Sequence, residues 1–468
     1  MAVSQIDNAA KLGKLLQIIY SNGVVNQISE DFRDWDAVSK LRVSEEAARQ
    51  INFTLQTGYG PRSTGWSKQG VGANFKSSQQ SNTSEKSAGF NQMDSTIELE
   101  YDLWQRALGT PSKYAEPLAL EINNKAIIQK RLLSSVFHRD GTGLLAITKA
   151  AAAVKVPLGS SFLVEVDMDG VSGADATGYA GGGTRYAEYQ DGHILCDIAG
   201  SKATLGVADV FEVVKKDRKN DKVSYKVLKA DGSEANEAEV DAVISAMAST
   251  AFYVYRENQP SRPDLSSGIV ALGEINNASE VMAGLESLFA EDGRTMHGID
   301  MAGATAGTHY DAGNSPIDIR HLDEALSNLK VIVGQGKYKY NQLLCTPESR
   351  SALIDSQEQD RRLQALSDDK RGFKGFGYVH DRDTLELATS EYAKKATMWA
   401  LPQGGKEKGV IELHGKDFKP VQVGSQDTFL GLAGGSHAQK INKYMLGYMT
   451  LLTKHPAAGL KIKNFTES

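Results

Sequence analysis

Several stretches of this chain carry residue types that do chemistry, yet none is spaced as its chemistry requires. Gly178-Tyr179-Ala180-Gly181-Gly182-Gly183 has the glycines whose backbone N–H groups cradle phosphate. It lacks the Gly-Lys-Ser/Thr ending of a P-loop and does not match G-x-G-x-x-G before a helix, so the expectation is a turn within the loop 171–186. Gly372-Phe373-Lys374-Gly375-Phe376-Gly377 reads better as a glycine-aromatic strand crossing. Glu165, Asp167, Asp169 and Gly170 resemble the start of a calcium loop. The twelfth position of that loop must be a bidentate glutamate and is Ala176 here, which leaves a polar strand end.

The nine histidines contain no H-E-x-x-H and no close pair with metal-ligand spacing. His309-Tyr310-Asp311 lies in a Gly/Ala/Thr-rich stretch from Gly303 to Gly313 and is expected in a surface loop. No G-x-S-x-G elbow is present. Cys345 follows Leu343-Leu344 and is expected in the core; with Cys196 as the second cysteine there is no disulfide framework, which suits a reducing compartment. A triad is a spatial arrangement, so a fold can assemble one that the sequence does not display. On sequence, no catalytic, cofactor-binding or metal-binding residue is assigned, and the chain is expected not to be an enzyme.

The elements that would position such residues set the scale. At roughly 100–200 residues per domain, 468 residues suggest two to four domains. Fifty-two basic against 58 acidic residues, a net charge of -6, argues against a dominant basic surface for nucleic acid. No apolar run approaches the ~20 residues that span a bilayer. Met1–Lys14 carries Asp7 and no sustained apolar stretch, so it is expected not to be a signal peptide. Forty-five glycines against 11 prolines point to many turns and bulges.

Along the chain, residues 6–20 read as an amphipathic helix with Leu12, Leu15, Leu16 and Ile19 on one face, ended by Asn22-Gly23. A helix of this length is marginal in water and needs a surface to cover its apolar stripe. From Gln56 to Asp94 glycine, serine, asparagine and glutamine dominate, with Tyr59, Trp66, Phe75 and Phe90 spaced among them. The flanks alternate as strands do: Ile51, Phe53 and Leu55 before, Ile97, Leu99 and Tyr101 after. The simplest reading is a two-stranded excursion with a polar tip. Such a hairpin has no core of its own, so a neighbouring chain is expected to hold it, chiefly through those four aromatics.

A long helix is expected from about Tyr114 to His138, with Pro117 in its first turn and 139–143 stopping it. Residues 157–240 read as a β-rich insertion, with a charged turn at Lys215–Lys219. A helix with Val281, Met282, Leu285, Leu288 and Phe289 on its buried face follows, then a helix over 319–329. Val331–Val333 and Gln342–Leu344 read as strands, and Thr346-Pro347-Glu348 opens a helix over 349–354. The tail ends in strands at 444–452 and 458–462.

This order of parts resembles the major capsid proteins of tailed double-stranded DNA bacteriophages, the Hong-Kong-97-type fold. The segments that carry the resemblance are STIELEYDLWQRALG (95–109), YAEPLALEINNKAIIQKRLLSSVFHRDGTG (114–143), LLCTPESRSALID (343–355) and NKYMLGYMTLLTKHPAAGLKIKNF (442–465). The resemblance implies an α+β fold with an N-terminal arm (1–50), an extended β-hairpin loop (51–100) and a peripheral domain with a spine helix (101–143). It further implies an axial domain (144–360) containing the β-rich insertion, and return strands to the C-terminus (361–468). It implies a structural protein of the virion capsid, assembled in the host bacterial cytoplasm from pentamers and hexamers of itself. The implied partners are a portal protein, scaffolding and decoration proteins, and packaged DNA held without specific contacts, with no membrane and no cofactor. In some members a loop lysine forms an isopeptide bond with a neighbour's asparagine; Lys68, Lys76 and Lys86 lie in the loop here, and none aligns with that role. The alternatives are an encapsulin-like nanocompartment shell, which shares the fold, and an enzyme that binds a ligand at the glycine-rich loop 171–186.

Overall fold

In the computed structural model the described residues are 33–42, 50–56, 83–100, 129, 131–139, 141, 146–148, 153–159, 161–168, 192–196, 208–217, 222–229, 232–248, 252–256, 282–289, 295–296, 299–300, 308–333, 338–358, 377–380, 383–402, 410–420, 429–432 and 439–466. In chain order the strands and helices begin with β1 (Ser39–Arg42), β2 (Gln50–Gln56), β3 (Thr83–Gly89), β4 (Asn91–Glu100), β5 (Ala146–Ile147), β6 (Val154–Leu158), β7 (Ser161–Asp167), β8 (Gly192–Cys196), β9 (Ala208–Asp217) and β10 (Lys222–Lys229). There follow α1 (Glu237–Met247), β11 (Tyr253–Arg256), α2 (Leu285–Leu288), β12 (Thr295–Met296), β13 (Ile299–Asp300), β14 (His309–Pro316), α3 (Ile319–Val333), β15 (Tyr340–Cys345) and α4 (Pro347–Glu358). The last are β16 (Gly377–His380), β17 (Asp383–Thr389), β18 (Thr397–Pro402), β19 (Ile411–Pro420), β20 (Phe429–Leu432), β21 (Gln439–Thr453) and β22 (Leu460–Thr466). The class is α+β, as expected.

Three sheets organise these elements. A five-stranded sheet runs β1-β19-β21-β20, with β4 also paired to β21. A six-stranded sheet runs β14-β22-β18-β15-β17-β16. One buried cluster joins them: Ile411, Leu413, Met449 and Leu451 from the first sheet, and Leu344, Ala388, Trp399 and Leu401 from the second. Trp35, Leu133, Phe137, Leu285, Leu288 and Phe289 fill the space between. Residues 131–137 are helical and coincide with the C-terminal part of the expected long helix; all of 114–128 lies outside the described residues. Gly284, just before α2, packs against the end of this helix. A Cβ there would fall 2.3 Å from the carbonyl oxygens of Val136 and Arg139, so only glycine permits the approach.

The helices form where the sequence places their signals. In α3, Leu322, Ala325, Leu326, Leu329 and Val333 repeat at helical spacing and are buried. Val331–Val333, read as a strand, are the last turn of this helix. Val331 falls off the stripe and is 82% exposed, so the short β-branched run reflects the helix end and not a sheet. At α4 the Thr346 hydroxyl accepts from the Ser349 N–H at 3.0 Å, the cap expected from Thr-Pro-Glu. Met282, Leu285, Leu288 and Phe289 of the expected face are buried and Val281 lies outside the described residues, but the described helix is only Leu285–Leu288.

The third sheet, ordered β5-β11-β8-β9-β10-β7-β6, takes strands from Ala146 to Arg256 and so exceeds 157–240 at both ends. It also brings in a helix. Asn236 and Glu239 form a reciprocal capping box at the start of α1, and Val240, Val243 and Met247 pack on the sheet. Of the charged turn expected at Lys215–Lys219, Lys215–Asp217 belong to the end of β9, and 218–221, before β10, lie outside the described residues. The two C-terminal strands do not pair with each other: β21 belongs to the five-stranded sheet and β22 to the six-stranded one.

Candidate assembly interface

The hairpin is built from β2 and β3, antiparallel over seven pairs from Gln50↔Gly89 to Gln56↔Thr83. The expected return strand was the apolar run around Ile97 and Leu99. The observed one is Thr-Ser-Glu-Lys-Ser-Ala-Gly, inside the segment read as the polar tip. The apolar run belongs to β4, which pairs with β21 over ten residues, Asn91↔Met449 to Glu100↔Lys440. Phe90 links the two as the one described residue between β3 and β4 and is half-buried. The chain from 83 to 100 thus leaves one sheet and enters the other with almost no interruption.

Alternation gives the hairpin two unlike faces. Phe53, Leu55 and Ala88 pack with Leu452 of β21, and Ile51 lies against them. Leu55 is fully buried, worth about 1.5–3 kcal/mol on its own. Lys86 sits directly opposite Phe53. Asn52, Thr54 and Glu85 on the other face are exposed. The root is therefore anchored within its own chain, and the anchoring cluster is small.

Beside this anchor, on the same side of the sheet, stands a charged group. Glu412 pairs with Leu452 across the β19–β21 ladder and is buried. His414 Nε2 lies 3.1 Å from its carboxylate, and Lys454 Nζ donates to the other oxygen. Burial pushes the Glu412 carboxyl up, but the hydrogen bonds from His414 and Lys454 and their charge outweigh it and hold it below the usual carboxylate range. A second buried pair, Lys461 with Glu286, ties β22 to α2, with the ammonium 5.4 Å above the Trp399 ring. Burial raises the Glu286 carboxyl, and Lys461, Lys394 and His309 together bring it below its ordinary value.

Two clusters bring Ser, His and Asp together, and neither is wired for nucleophilic attack. The Ser390 hydroxyl donates to Asp34 Oδ2 at 2.6 Å, and His138 Nε2 lies 3.0 Å from the same oxygen. Asp34, His138 and Ser390 are all buried, and the carboxylate stands between serine and imidazole where a triad needs the imidazole in the middle. The cluster clamps residues 33–38 to the end of the helical segment 131–137, helped by the Trp35 indole donating to Ser134 and by the Trp35 and Phe137 rings at 4.5 Å. In the other cluster, the Asp318 N–H donates to His321 Nδ1, which leaves Nε2 protonated toward Ser315 at 3.1 Å. The Ser315 hydroxyl donates instead to the Ala312 carbonyl.

His309 is not in a free loop but on β14, with Nε2 2.8 Å from the Phe289 carbonyl. Cys345 is buried, as expected. Glu165 of the calcium-like run is paired with Lys222 at 2.9 Å. Among the described residues no group of three or more His, Cys, Asp or Glu is placed to hold a metal ion. No helix among them is long and apolar enough to cross a membrane.

Of the residues expected to contact a neighbour, only Phe90 is described. Leu12, Leu15, Leu16, Ile19, Tyr59, Trp66 and Phe75 lie outside the described residues, as do Lys68, Lys76 and the loop 171–186. Leu452, the cis anchor, was missed; in Thr450-Leu451-Leu452-Thr453 the two adjacent leucines face opposite sides of the strand, so no alternation marks it.

No family model and no curated protein matches the chain. Solved structures do. The chain is similar to a chain of the cyanophage A-1(L) capsid asymmetric unit at 8% identity, with 92% of this chain and 91% of that one covered and a TM-score of 0.42. A chain of the capsid of Myoviridae phage XM1 gives 9%, 92%, 90% and 0.33. The holo-SrpI encapsulin complex from Synechococcus elongatus PCC 7942 gives 14% identity and a TM-score of 0.24 over 40% of this chain, which spans only 57% of that chain. With TM-scores below 0.5, function has to be argued from the chain's own residues.

Proposed function

We propose that the chain is the shell-forming subunit of a tailed phage, a major capsid protein that assembles with copies of itself around a double-stranded DNA genome. The observation that carries this is the β2–β3 hairpin. Its ladder is regular and its root is fixed by four residues, yet a two-stranded sheet with an exposed polar face is not stable by itself. A neighbouring subunit supplies the missing surface, through 57–82 with Tyr59, Trp66 and Phe75, and the arm stripe Leu12, Leu15, Leu16 and Ile19 docks in the same way. The division into arm, loop, spine, axial domain and return strands follows from this reading. So do capsomers of five and six subunits, a portal, scaffolding and decoration partners, and assembly in the bacterial cytoplasm into the virion.

The test is to size the purified full-length chain against a variant in which 57–82 are replaced by a short Gly-Asn turn that keeps the β2–β3 ladder. Megadalton particles from the first and a folded, soluble subunit from the second are expected. Particles of native form from the shortened chain, or none from the full-length one, would overturn the reading. What the particles enclose, nucleic acid or a cargo protein, separates a phage shell from an encapsulin-like compartment.

A further inference from the structure

The seven-stranded sheet also has two unlike faces. Residues directly opposed on neighbouring strands share a face, so the ladders sort them. Phe211, Val164, Val166, Val223, Tyr225 and Val227 face α1 and close a buried cluster with it. The opposite face carries Val154, Val156 and Leu158 of β6 beside Glu165, Leu163 and Ser161 of β7. It continues with Ser224, Lys226 and Leu228 of β10 beside Lys215, Glu212 and Val210 of β9.

Leu163 and Ser224 are buried at the centre of this face, and its exposed apolar side chains lie around them: Val154 is 53% exposed, Leu158 50% and Val214 45%. These are three of the five large apolar side chains exposed among the described residues; the others, Val331 and Tyr448, are on α3 and β21. Val214 is the extra residue of a bulge in β9, between Val213 opposite Tyr225 and Lys215 opposite Ser224, and a bulge re-aims a side chain. Most charges on the face are neutralised within the chain, by Lys222 with Glu165 and Lys226 with Glu234. Exposed Glu212, which faces Lys226 across the β9–β10 ladder, and exposed Lys215 flank Val214. The edge strand β6 contains Pro157, which has no N–H to offer an incoming strand, so contact is directed to the face and away from the edge.

We propose that this open face is a two-fold contact with a second copy of the chain, centred on Val214. An anion and a cation flanking an apolar residue are self-complementary under a two-fold axis. Val214 meets its counterpart, Glu212 of one copy meets Lys215 of the other, and Val154 and Leu158 cover the rim. The choice of a second copy as occupant rests on this charge pattern and on the self-assembling subunit argued above.

The experiment uses the full-length chain with Cys196→Ser, carrying Val214→Cys, and a short bismaleimide. Val331→Cys, on α3, is the control, and Leu158→Cys is a second reporter if Val214→Cys yields little soluble protein. Covalent dimers at least ten-fold more abundant from Val214→Cys than from Val331→Cys are expected. Glu212→Lys should cut the yield several-fold, and adding Lys215→Glu should restore it. Particles that form with Val214→Cys and Leu158→Cys no better cross-linked than the control would overturn this contact and leave the shell reading intact. Cross-linked dimers without any larger particle would support the contact and overturn the shell reading.

Discussion

Two hairpins of this chain have ladders of nearly equal length and different support. β9–β10 pairs over eight residues and β2–β3 over seven. The first has β8 on one side and β7 on the other, and buries Phe211, Val223, Tyr225 and Val227 beneath α1, with the Phe211 and Tyr225 rings edge to face at 5.9 Å. The second has no further strand on either edge among the described residues and rests on Leu452. The backbone rule is the same in both. What differs is the apolar surface that covers one face, and this makes one a domain core and the other a limb that depends on its surroundings.

Mutations should separate the two. The largest effect is expected from Phe211→Ala, a loss of about 3–5 kcal/mol, read by denaturant unfolding; protection from hydrogen exchange should fall across β7–β10 and stay unchanged at 50–56. Leu55→Ala should cost about 2 kcal/mol, the low end for a core leucine, because a four-residue cluster collapses easily around a deletion. Here exchange at 50–56 and 83–89 should rise while 223–227 stays protected. If both substitutions loosened both regions equally, the contrast between them would be void. Asn236→Ala removes the capping box of α1 and should cost about 1 kcal/mol, confined to the seven-stranded sheet.

The smallest expected effect appears only in acid. The Glu412 carboxyl is held below its unfolded value, so its contribution is complete above the ordinary carboxylate range and is lost as pH falls through the lowered folded value. Exchange at the hairpin root should therefore rise in acid, and Glu412→Gln should abolish that dependence. The Lys–Glu pairs of the seven-stranded sheet are largely exposed and should confer little comparable sensitivity.

The sequence made the local rules legible and left the partners hidden. Alternation in Ile51, Phe53 and Leu55 marked β2, the helix expected over 319–329 matches α3 in place, and Thr346 marked the start of α4. β3 was missed because Thr-Ser-Glu-Lys-Ser-Ala-Gly has too little apolar content to alternate; its strand conformation comes from pairing with β2. The turn at Val331–Val333 was misread because three residues cannot distinguish a helical from a strand period. That β21 and β22 enter different sheets, and that Leu452 lies under the hairpin, are facts of tertiary register which no local pattern encodes. For the candidate site, strand β2 and the polar run that follows it were visible. The cis anchor, the Glu412–His414–Lys454 group and the bulge at Val214 were not.

The near-continuous strand from 83 to 100 gives the subunit a mechanical grain. A pull on the hairpin along that strand loads the β4–β21 ladder in shear, so that its ten rungs resist together. A sideways push meets only the small apolar seat at Leu452. The hairpin is thus stiff along its length and compliant across it. In the assembly proposed above, such a limb would swing to meet a neighbouring surface and, once seated, carry tension directly into the five-stranded sheet.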